Sequence, residues 1–159
     1  MRNVLLITTA VILATVSVAD DKNVITSGTA GISIELPVTK KAKAASYQIA
    51  MFYLPPADGF AANVNVQKQE FKDTIEAYHR ISLKQFKQLN AAMLKQNING
   101  NEIMYEFRAE IKGRDLHFYV RAVQREGFVY LITATGLESQ WGEQKTALMK
   151  SVDSFKLTK

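Results

Sequence analysis

The sequence predicts an α+β fold: a mainly antiparallel sheet of about six strands, flanked by a long central helix and by a second helix at the C-terminus. Three observations predict it. Several segments alternate apolar and polar residues with a period of two, the strand signature. One stretch after Asp73 repeats its apolar residues every three or four positions, the helix signature. Pro and Gly punctuate the chain between these segments, where turns are required.

The N-terminus comes first. Arg2 precedes apolar runs at Val4 to Ile7 and Ala10 to Ala14, and Ser17-Val18-Ala19 stands before Asp20-Asp21. A positive start, a short apolar stretch and a small-x-small site describe a cleavable secretory signal over residues 1–19. A membrane anchor needs about 20 apolar residues, and Thr8, Thr9, Thr15 and Ser17 interrupt this one. No stable membrane span is expected after cleavage. Residues 20–30 are polar and aperiodic and read as a mobile leader, which leaves residues 31–159 as a single domain.

Within that domain Ile32, Ile34 and Leu36 alternate with Ser33 and Glu35, a half-buried strand stopped by Pro37. Tyr47 to Leu54 is apolar on both parities and ends at Pro55-Pro56. Ala62, Val64 and Val66 alternate with Asn63, Asn65 and Gln67 as a third strand. From Asp73 the helical stripe runs through Ile75, Tyr78, Ser82, Phe86, Leu89 and Met93. Asp73 and Glu76 have capping-box spacing at its start, and Asn97-Ile98-Asn99-Gly100 is turn chemistry at its end. A three-strand meander follows. Ile103, Tyr105, Phe107, Ala109 and Ile111 share a face with Leu116, Phe118, Val120 and Ala122 across a Gly113-Arg114 turn, which would set Glu106 against Arg121, Glu102 against Arg125 and Glu110 against His117. A three-residue turn at Arg125-Glu126-Gly127 would set Ala122 against Tyr130 and Val120 against Ile132, with Phe128 to Ala134 as a central strand. Ser139 to about Val152 is the second helix, with Trp141, Leu148 and Val152 on its stripe.

Composition bounds the function. The chain has no Cys, so it carries no disulfide and no cysteine-linked lipid. Removing nineteen of 159 residues leaves 140, and because Arg2 is the only charged residue removed, the formal net charge falls from +5 to +4. So small a surplus, spread over scattered lysines, is ordinary surface solvation and points to no nucleic-acid partner.

At Leu54 to Val66, a Pro-Pro-Ala-Asp-Gly-Phe turn leads into Asn-Val-Asn-Val; Tyr130 to Thr135 and the closing Ser154-Phe155-Lys156-Leu157 follow in order. This arrangement resembles the PsbP-like fold family, which includes the photosystem II extrinsic proteins, the Mog-type Ran-binding proteins and the bacterial DcrB-type envelope proteins. The resemblance covers about Ile32 to Leu157. It implies an α/β/α sandwich and a non-enzymatic binding or assembly role. The export signal removes the Ran partner and disfavours the photosystem, leaving the bacterial envelope branch: a periplasmic or secreted accessory protein with an envelope protein as partner. No catalytic residue is carried over.

The residues offer little chemistry of their own. Glu76 and His79 form a Glu-x-x-His on one helix face, half of a two-metal carboxylate site, but the chain lacks the second copy. A metal-dependent or hydrolytic enzyme built on His79 and Glu76 is the alternative function; neither a metal nor another cofactor is expected. Ser82, three residues beyond His79, falls on the apolar stripe and reads as a small buried packing residue. The expected partner surface draws on two places. Asn63 and Asn65 are poor strand formers on one face of their strand; their amides either satisfy neighbouring loop backbone or form the polar edge of a partner groove. Glu106, His117, Tyr119 and Arg121 share the charged face of the meander, where His117 and Tyr119 are expected to be exposed. Phe52, Tyr53, Phe60 and Trp141 are further aromatic candidates for a contact surface.

Overall fold

The computed structural model describes residues 16–18, 24–27, 32–35 and 46–157, with side chains from residue 48 onward. Three short strands, β1 (Val16–Val18), β2 (Val24–Ser27) and β3 (Ile32–Glu35), form an antiparallel sheet of their own. The strand expected at Ile32 therefore exists but belongs to this sheet, and it pairs with β2, which lies inside the segment expected to be an aperiodic leader. Val24, Ile25 and Thr26 are β-branched in succession, and their stiffness favours extended backbone. Residues 1–15 of the expected signal segment lie outside the described residues.

The main sheet is antiparallel and six-stranded, in the order β4 (Ser46–Tyr53), β5 (Asn63–Glu70), β9 (Phe128–Leu137), β8 (Arg114–Arg125), β7 (Glu102–Ile111) and β6 (Ala92–Asn99). Helix α1 (Ile75–Gln88) carries the chain from β5 across one face to the far edge, and the meander then returns strand by strand until β9 pairs with β5. Helix α2 (Glu138–Asp153) follows β9 directly and covers the opposite face. Two cores result. Ile75, Tyr78 and Phe86 of α1 meet Tyr105, Phe107, Phe118, Val120 and Leu131; Trp141, Leu148 and Val152 of α2 meet Val64, Tyr119, Ile132 and Ala134. The α+β class, the central position of β9 and the buried stripe of α2 are as the sequence predicts.

Three local expectations are corrected. Helix α1 ends at Gln88, with Leu89 as its C-cap and Asn90 in the left-handed region at φ 50°. The residues expected to continue it, Ala92 to Asn99, are the edge strand β6, because pairing with β7 outweighs the helix propensity of Ala, Met, Leu, Lys and Gln. The helix start moves by one. Thr74 is the N-cap and accepts from the Ala77 amide, while Asp73 accepts from the Thr74 amide, so Glu76 sits at the second helical position and closes no capping box.

The β7–β8 and β8–β9 turns are two-residue loops with consecutive positive φ, Lys112-Gly113 (53° and 73°) and Glu126-Gly127 (52° and 78°), whose twist matches that of the strands. The first shifts the expected pairing by two, so Glu106 faces Tyr119 and Arg108 faces His117, and the faces are preserved. The second shifts it by one. Ala122 therefore faces Leu131, and every side chain of β9 lies on the face opposite to the one the three-residue turn requires.

Candidate functional site

The face of β8 expected to be exposed is buried beneath α2: His117 is 4% and Tyr119 8% exposed. His117, Tyr119 and Arg121 on it each have a partner in the chain's own helix. The His117 ring stacks on Trp141 at 4.0 Å between centroids, with Nδ1 2.6 Å from Glu138 Oε2 and Nε2 3.0 Å from Glu106 Oε1. Arg108 Nη1 donates to Glu138 Oε1 at 3.2 Å, so the first turn of α2 is held by two basic side chains of the sheet. At the other end Tyr119 donates its hydroxyl to Asp153 Oδ1 at 2.9 Å. Burial, reinforced by that carboxylate, pushes the Tyr119 phenol up to about 12. Arg121 donates to the carbonyls of Val152, Asp153 and Phe155 at 3.1 to 3.5 Å and to Glu102 Oε2 at 2.8 Å, a cation at the negative end of the helix dipole. Glu106, His117, Tyr119 and Arg121 thus form a docking seam for α2 rather than an open surface. From the sequence these residues read as a charged, exposed strand face, and nothing local marks them as covered.

The Glu-x-x-His of α1 does not converge on a ligand position. His79 Nδ1 lies 2.9 Å from the Tyr105 hydroxyl, and burial lowers the His79 pKa. Glu76 is on the exposed first turn, where helix-start hydrogen bonds and the Thr74 side chain lower its carboxyl. Ser82 is buried and donates to the Tyr78 carbonyl one turn back, a packing residue as expected. Among the described residues no three His, Asp or Glu side chains are grouped to hold a metal ion.

Asn63 and Asn65 lead to a different place. They point to the α1 face of the sheet, paired across the ladder with Thr135 and Thr133. There, beside the C-terminal half of α1, a half-enclosed cavity of about 120 Å³ opens between helix and sheet. Its apolar wall includes Met51, Phe86, Phe107, Phe118, Val120 and Leu131. Its polar side is a patch of uncharged groups: Asn63, Asn65 and Gln67 of β5, Thr133 and Thr135 of β9, and Ser82 and Gln85 of α1. Helix α1 is only fourteen residues long, and among the described residues no other helix covers this part of the sheet. The Pro55-Pro56 loop places Phe60 against the cavity; Asp58 and Gly59 turn at φ 51° and 68°, and Arg114 donates to the Gly59 carbonyl at 2.8 Å.

The cavity has two electrical features. Among the described residues no Asp, Glu, Lys, Arg or His lines it, and its ionisable phenol, Tyr105, is pushed up to about 12 by burial. Asn63 donates to the Ala61 carbonyl at 3.3 Å, but Asn65 Oδ1 is buried without a hydrogen-bond partner, which costs about 1–3 kcal/mol. The sequence flags Asn63 and Asn65 as misfits. It places Gln67 on the same face but hides Thr133 and Thr135, because the shifted register of β9 decides which of its residues face the cavity.

No family model and no curated protein matches the chain. Among solved structures, it is similar to the Pseudomonas aeruginosa protein of unknown function PA94, at 16% identity and a TM-score of 0.59, over 87% of this chain and 98% of that one. It also aligns with the cyanobacterial PsbP of Synechocystis at 10% identity and a TM-score of 0.45, over 76% of this chain and 97% of that one. A third alignment is with LpqN, involved in cell envelope biogenesis of Mycobacterium tuberculosis, at 13% identity and 0.43, over 87% of this chain and 76% of that one. The likeness to PA94 shows that the α+β fold is a shared architecture.

Proposed function

We propose that this chain is an exported binding protein of the bacterial envelope that works without a chemical step and holds its ligand in the cavity between α1 and the sheet. One observation carries the reading. A folded domain that closes two cores leaves a half-enclosed, mostly apolar cavity with a convergent polar patch, the usual form of a small-ligand site. The signal-like residues 1–19 and the resemblance to the PsbP-like accessory proteins support export and a binding role. Among the described residues no helix is long and apolar enough to cross a membrane.

The test has two arms. Expressed in a bacterial host, the protein should be recovered from the soluble periplasmic fraction with Asp20 as its N-terminus by intact mass; full-length chain in the membrane fraction alone would overturn export with cleavage. Protein purified from that fraction without detergent should show a ligand by native mass spectrometry, and Thr133→Phe, which places a ring in the cavity on a central strand, should lack it. Equal ligand content in both would place binding elsewhere.

A further inference from the structure

We infer that the cavity selects an uncharged amphipathic ligand: a ring or alkyl chain of about six carbons ending in a hydroxyl or carboxamide whose hydrogen is donated to Asn65 Oδ1. This rests on the cavity being the binding element. Size sets the apolar part. A cavity of about 150 Å³ holds one benzene ring, so about 120 Å³ takes a body of that order, with any longer tail leaving by the open side. Charge sets the head. An ionised carboxylate or ammonium brought among Met51, Phe86, Phe107, Phe118 and Leu131 meets no countercharge among the described lining residues, and unpaired burial of an ion is heavily penalised. Polarity sets the orientation. Asn65 offers a buried acceptor that the protein itself leaves unsatisfied, beside Thr133 across the ladder. A ligand donor placed there completes a hydrogen bond, whereas a purely apolar ligand leaves the acceptor as it is.

The experiment titrates the purified protein with n-hexanol, hexanamide, hexanoate, hexylammonium and toluene, following amide resonances by NMR and obtaining a Kd for each. Hexanol and hexanamide should shift the Asn65 side-chain amide together with Thr133 and Thr135, and the two ions should not at neutral pH. Asn65→Leu should weaken hexanol roughly fivefold to tenfold and leave toluene unchanged or tighter, while Asn65→Ser, which keeps an oxygen acceptor, should recover part of the loss. If hexanoate or hexylammonium binds the cavity as tightly as hexanol, or if Asn65→Leu weakens toluene and hexanol equally, selection by charge and by Asn65 is overturned while the cavity stands as a binding site. If no probe shifts any cavity resonance, both readings fall. Should the Asn65 variants not fold, the ranking of the five probes on the wild-type protein decides alone.

Discussion

His79 sits half-sheltered on α1, its ring parallel to that of Tyr105 with centroids 5.7 Å apart and its Nδ1 in contact with the Tyr105 hydroxyl. Burial disfavours the imidazolium, so the folded-state pKa lies below the ordinary 6.5. Above 6.5 neither folded nor unfolded chain holds the proton, and the contribution of His79 to stability is fully present. As the pH falls through 6.5 the unfolded chain binds the proton first, stability declines, and the decline levels off below the folded pKa. The difference in urea-unfolding free energy between wild type and His79→Gln should therefore be more favourable to wild type above pH 6.5 than below it. A pH-independent difference would mean that His79 feels no burial. At this scale the residue types named from the sequence were informative, but their surroundings were not. The pattern placed His117 and Tyr119 on the meander face opposite Tyr105 and Phe107, and nothing local to β8 announces that Glu138 and Asp153 will arrive to cover them.

At the scale of elements, the start of α1 was legible to within one residue and its end was not. Capping needs a side-chain acceptor and a free amide three residues on, and both Asp73-x-x-Glu76 and Thr74-x-x-Ala77 supply a candidate pair. The backbone chose Thr74, extended at φ −76° and ψ 159°. Replacing it should show which residue caps: Thr74→Ala is expected to cost about 0.5–2 kcal/mol by urea denaturation, and Asp73→Ala clearly less. The reverse order would restore Asp73 as the cap. The far end was lost for a different reason. Met93 continues the three-and-four spacing of the α1 stripe, yet Asn90 accepts a left-handed conformation and the residues after it find a ladder partner in β7, an interaction that no window on α1 contains. The turn at Asn99-Gly100, recognised from its chemistry, is a hairpin turn and not a helix stop, because what precedes it is a strand.

For the whole molecule, the sheet is held between two helices by different means. The α1 side relies on aromatic packing of Phe86 with Tyr105 and Phe107 and leaves a cavity; the α2 side adds the Arg108–Glu138 ion pair and hydrogen bonds at both ends of the helix. Trp141 is the pivot of that second contact, set between His117 and the end of β9, where a Cβ on Gly136 would lie 3.2 Å from Trp141 Cε3. Gly136→Val should therefore overpack the seam, costing about 1–3 kcal/mol, with the change read as a lower urea midpoint and an altered Trp141 emission. Unchanged stability would show that α2 has room to move.

The sequence by itself determined the period of most elements, the two-faced character of β7 and β8, the buried stripe of α2 and the presence of turns at Gly100, Gly113 and Gly127. These follow from residues within a few positions of one another, and their apolar spacing and turn chemistry are local properties. Only the tertiary structure decided the end of α1, the register of β9, the burial of His117 and Tyr119, and the cavity beside Asn65. Each of those depends on a partner brought from far along the chain: Glu138 is 21 residues from His117 and Asp153 is 34 from Tyr119. A single-residue change in turn length also reverses which side chains of a strand face the core, so the cavity wall exists only once the register is set.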